Sequence, residues 1–102
     1  MSDWPRVLNP DPEAPPYRLD QHSPWRVKSD FRVDFTNGGY VEARGFILDL
    51  EDDSVSPERL AEMIVSAMNL LRAGPVTIFS MQIVPRGEHQ DSQAAIVPAK
   101  AE

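Results

Sequence analysis

The chain has 102 residues, a formal charge of −6 from 16 acidic and 10 basic residues, and no cysteine. That length holds one domain, and the missing cysteine excludes disulfides and thiolate metal sites. The acidic balance argues against nucleic acid or an anionic membrane as partner, because phosphate binding needs clustered Lys and Arg, and no apolar stretch approaches the length of a bilayer.

Residues 1–29 read as a proline-rich extended arm. Pro5, Pro10, Pro12, Pro15, Pro16 and Pro24 disfavour helix and remove ladder donors. Yet the arm carries Trp4, Tyr17 and Trp25, large apolar groups that a solvated tail rarely spends. They are expected to anchor the arm on a surface, its own or a partner's. Met1-Ser2-Asp3-Trp4-Pro5-Arg6 lacks the pattern of a signal peptide, so a cytoplasmic protein is expected.

A core domain is expected over residues 30–85. Phe31, Val33 and Phe35 alternate with Arg32, Asp34 and Thr36, the pattern of a half-buried strand. Asn37-Gly38-Gly39 then predicts a hairpin turn. The next strand runs from Tyr40 to about Leu50, and its apolar phase changes: Val41 and Ala43 lead, then Phe46, Leu48 and Leu50 take over one step out of register. A bulge at Arg44-Gly45 would restore one common face.

Glu51-Asp52-Asp53-Ser54 is an acidic turn without the spacing of a calcium loop. Ser56, Pro57 and Glu58 spell a helix start. Arg72, Gly74 and Pro75 read as its far end, with Gly74 as the left-handed stop. Leu60, Met63, Ile64, Ala67, Met68 and Leu71 form the buried stripe. Val76 to Val84 is the third strand. A strict period of two puts Phe79, Met81 and Ile83 on one face and Val76, Ile78 and Val84 on the other. Residues 86–102 read as a polar tail.

The expected fold is therefore α+β: a three-stranded ββαβ sheet with one helix packed on one face. The first strand is placed in the centre because Phe31, Val33 and Phe35 are the most core-like triplet. One helix covers only half of such a sheet, which would leave Val76 and Ile78 on an open face. A homo-oligomer using sheet and arm is the expected remedy, with Trp4, Tyr17, Trp25, Val76 and Ile78 as partner-binding candidates.

No residue set reads as catalytic, and no metal or cofactor is expected. His89, beside Glu88 and Asp91, is better explained as part of a solvated linker. Arg32, Asp34, Glu42 and Arg44 are explained by cross-strand ion pairs. The leading expectation is a non-enzymatic interaction protein, an accessory subunit beside a larger protein partner. The alternative is a small oligomeric enzyme or small-acid-binding protein. Its site would lie between subunits and use Arg32, Arg44, Tyr40 and His89.

Overall fold

One helix lies on one face of an antiparallel sheet, an α+β arrangement. The structure, a computed structural model, describes residues 4–86 and the backbone of residues 95–97. The strands are β1 (Arg6–Leu8), β2 (Trp25–Phe35), β3 (Tyr40–Asp49), β4 (Ala73–Pro85) and β5 (Ala95–Val97), and the helix is α1 (Pro57–Ala67). The sheet order is β1-β4-β2-β3-β5. Five strands thus form where three are expected. The two additions are three-residue edge strands, too short for a period to register in the sequence. One comes from the proline-rich arm and the other from the polar tail.

The central strand is β2, the first strand of the expected core, and Val27, Phe31 and Val33 on it are fully buried. Ser29 faces Phe46 and Phe31 faces Ala43, so one residue of β2, Asp30, spans both Arg44 and Gly45. This is the bulge that the phase change requires. Gly45 adopts a φ of 65°, and its N–H donates to Asp30 Oδ1 at 2.8 Å. Ala43, Phe46 and Leu48 consequently share the buried face, where the Phe31 and Phe46 rings meet edge to face at 5.3 Å.

A second bulge, in β4, overturns the expected faces. Phe31 pairs with Ile78 and Asp30 with Ser80, leaving Phe79 as the extra residue. Val76 and Ile78 therefore join Met81 and Ile83 on the helix side, and both are fully buried. They cannot serve as partner contacts on an open face. Unlike the bulge in β3, this one has no glycine to announce it. The far face instead presents Arg26, Lys28, Asp30, Arg32 and Asp34 of β2, with Ser80 and Gln82 of β4 beside them. Of the expected apolar trio only Val84 lies there, and it is 2% exposed. Ile47, opposite Lys28, also lies on this face, which is mixed in composition with charged residues along its central strand.

The helix begins as its sequence dictates. Ser56 has extended dihedrals and its Oγ accepts from Arg59 N at 3.0 Å, with Pro57 in the first turn. It ends earlier than expected. Asn69, at φ 55°, takes the left-handed position; Leu70 N donates to Val65 O and Asn69 N to Ser66 O, both at 3.1 Å. These are the two bonds of a Schellman motif. Gly74 is instead part of β4, where a Cβ would lie 2.9 Å from Asp34 O. Leu60, Ala61, Met63 and Ile64 form the buried side of α1 against the sheet. No helix among the described residues is long and apolar enough to cross a membrane.

Candidate binding cleft

The arm between β1 and β2 is strapped to its own core. Tyr17 N donates to Ser66 Oγ at 2.8 Å, and Arg59 Nη1 donates to Pro15 O at 3.0 Å. Trp4, Tyr17 and Trp25 pack against the core cluster as partly buried groups. The aromatic anchors expected on the arm are thus engaged within the chain.

Where β2 begins and β3 and β4 end, one ion pair gathers the segments. Arg86 Nη2 donates to Asp49 Oδ1 at 2.6 Å and to Asp20 O at 2.8 Å, while Nε donates to Ser23 O at 2.7 Å. The other Asp49 oxygen accepts from Asp20 N at 2.9 Å. The Asp49 N–H donates to Tyr17 Oη at 2.6 Å. Burial pushes the Tyr17 phenol up to about 12, with the Asp49 carboxylate adding to the rise and Arg86 opposing it. Tyr17 therefore stays neutral over the physiological range, with its O–H as a donor. Ser23 completes the knot: its hydroxyl donates to Leu50 O and accepts from Trp25 N.

Beside this knot lies a cleft of about 550 Å³. Its walls are the arm at Pro15, Pro16, Tyr17 and Arg18, the end of β3, the acidic turn, the cap residue Ser56, and Arg59 and Met63 of α1. Asp20, Asp49, Glu51 and Asp52 line it against only Arg18 and Arg59. Asp49 is neutralised by Arg86, and Arg59 is paired with Glu62 at 3.2 Å as well as bound to Pro15 O. What remains is an acidic rim over a floor containing Leu50, Val55 and Met63. The cleft is of the size that takes a small ligand or an inserted side chain.

The site residues expected from the sequence fall elsewhere. Arg32 and Tyr40 do come together, with the Arg32 guanidinium 3.9 Å from the Tyr40 ring centre. Arg32 also donates through Nε and Nη2 to Asp34 Oδ1 at 3.0 and 2.9 Å. The ion pair is therefore within one strand, two residues apart, where a cross-strand pair is expected. Arg44 is exposed and borders a dimple of about 10 Å³. His89 lies outside the described residues. The described residues hold no cluster of three or more His, Cys, Asp or Glu arranged for a metal ion.

Sequence inspection passes over Asp49, Arg86 and Ser23. A trace of Asp49 is visible: it interrupts the run Phe46-Ile47-Leu48-Asp49-Leu50, a carboxylate where the apolar pattern leads. Its partner lies 37 residues away, and nothing local marks it.

Fold and cleft together define a small α+β scaffold with a preformed acidic recess between arm and helix. Comparison with known protein families, curated proteins and solved structures gives no match.

Proposed function

We propose that the chain is a non-enzymatic binding module, an accessory subunit whose arm–helix cleft receives a cationic group from a protein partner, such as an arginine or lysine side chain. The observation that carries this reading is the charge of the recess. Glu51, Asp52 and Asp20 line it with only Arg18 to offset them, since Arg59 and Asp49 are already paired. The neutral Tyr17 phenol and the aliphatic floor suit the stem of such a side chain. A knotted, preordered wall reduces the ordering cost of binding.

A small-acid ligand has one feature in its favour, the amino end of α1 at the cleft mouth. Arg59, the charge that would hold the acid, is already engaged. A thermal-shift panel separates the two. Acetyl-arginine amide and acetyl-lysine amide are expected to raise Tm in proportion to concentration, with acetyl-glutamate amide inert. A rise with the anion alone, or with none of the three, overturns the proposal.

A further inference from the structure

The asparagines of the chain are Asn9, Asn37 and Asn69, and each has a different neighbour. An asparagine loses its amide when the backbone nitrogen that follows attacks its side-chain carbon, so the next residue decides its fate. Asn9 precedes Pro10, whose nitrogen carries no proton to lose. Asn69 precedes Leu70, whose N–H donates to Val65 O at 3.1 Å and whose side chain packs against the core. Asn37 precedes Gly38 at the exposed tip of the β2–β3 hairpin. Gly38 has no side chain to crowd the attack, and even an added Cβ would meet nothing within 4 Å. Its N–H donates to Phe35 O at 3.2 Å. The base of the turn is held more closely, by Phe35 N to Gly39 O at 3.0 Å and Thr36 N to Arg72 O at 2.8 Å. Freeing the Gly38 nitrogen therefore breaks a single hydrogen bond at a solvent-facing tip, an opening that leaves the strands paired.

We propose that Asn37 is a modification site, at which the chain converts its own amide to an acid through a succinimide. The Gly38 nitrogen, its proton passed to hydroxide, attacks Asn37 Cγ. The N–Cγ bond forms, the Cγ–Nδ2 bond breaks, and ammonia leaves with a proton from water. Water then opens the ring at either of its carbonyl carbons. Breaking N–Cγ leaves an aspartyl residue; breaking the bond from N to the main-chain carbonyl carbon leaves an isoaspartyl residue, with the backbone routed through Cγ. No electron is transferred, and solvent water is the co-reactant. Either product adds a negative charge to a chain already at −6. The isoaspartyl form also lengthens the turn by a methylene, beside the Asp34–Tyr40 pair and the Arg32–Tyr40 contact. The turn follows the end of β2 remote from the cleft, so each proposal stands or falls alone.

The test is incubation of the full chain at physiological temperature, from neutral to mildly alkaline pH, followed by tryptic digestion under mildly acidic conditions. The fragment Val33 to Arg44 contains Asn37 as its only side-chain amide. It should yield two acid forms, aspartyl and isoaspartyl, that elute apart and appear at a combined rate rising in proportion to hydroxide concentration. Asn37→Gln, whose cyclisation would need a larger ring, should yield neither over the same period. An aspartyl form alone, the product of direct hydrolysis, overturns the proposal. So does a fragment that keeps its amide throughout, or conversion at Asn9 or Asn69 as fast as at Asn37.

Discussion

Arg86 and Asp49 bridge two strands that are not neighbours. The 2.6 Å contact joins the ends of β4 and β3 across β2, which lies between them in the sheet. The same guanidinium holds the carbonyls of Ser23 and Asp20, so one side chain fixes the arm, the sheet end and one wall of the cleft.

Arg86→Ala leaves the Asp49 carboxylate, 9% exposed, without its cation. Removing one partner of a largely buried pair costs about 3 kcal/mol, and the two freed carbonyls add to the loss. Urea unfolding should register this drop in stability. Arg86→Lys should recover only part of it, because an ammonium cannot span Asp49, Asp20 and Ser23 in one plane.

Two buried serines are expected to respond in opposite directions. Ser29 is 1% exposed and its hydroxyl has no hydrogen-bond partner among the described residues, so Ser29→Ala should be neutral or stabilising by up to about 1 kcal/mol. Ser23 bridges Leu50 O and Trp25 N, so Ser23→Ala should cost about 1–2 kcal/mol. Denaturation midpoints of the two variants, compared at equal slope, provide the check.

Two glycines carry different penalties. At Gly45 an added Cβ meets only Lys28 Cε at 3.6 Å, so Gly45→Ala pays the left-handed backbone cost alone, about 1 kcal/mol. At Gly74 the Cβ would lie 2.9 Å from Asp34 O, a backbone atom, and Gly74→Ala should cost about 2 kcal/mol or more as β2 and β4 separate locally. Amide exchange near Asp34 should rise in the second variant and stay unchanged in the first.

Alkaline stability follows from Tyr17. Its pKa is raised from 10.0 to about 12 in the folded chain, so the unfolded chain loses the proton first. The stabilisation is complete below pH 10 and is lost as pH rises from about 10 to about 12. In a Tyr40→Phe background, phenolate absorbance should titrate near pH 12 in the folded protein and near pH 10 in urea. Tyr17→Phe should remove the alkaline loss assigned to this group.

Much of the architecture is legible in the sequence because it is locally encoded. The Ser56-Pro57-Glu58 start, the Asn37-Gly38-Gly39 turn and the Gly45 bulge each rest on residue types that favour one backbone state. Alternation marks the buried side of Phe31 and Val33, and the most core-like triplet points to their central strand, whereas strand order itself comes from the sheet. What escapes is non-local or carries no marker. Phe79 bulges without a glycine, which exchanges the faces of Val76 and Ile78 and removes the apolar open face. Asn69 stops the helix where Gly74 is the stronger sequence signal. The cleft is hidden because its walls come from residues near 17, 50 and 59, joined by Arg86 from the far end of the domain.

The most direct measurement is a ¹⁵N–¹H titration of the intact chain with acetyl-arginine amide, repeated with Glu51→Lys/Asp52→Lys. The account predicts shifts confined to the amides of Tyr17, Arg18, Asp49 to Asp52 and Ser54 to Ser56, and their disappearance in the charge-reversed variant. Shifts centred on Arg32, Tyr40 and Arg44, or an unaltered response in the variant, would contradict it.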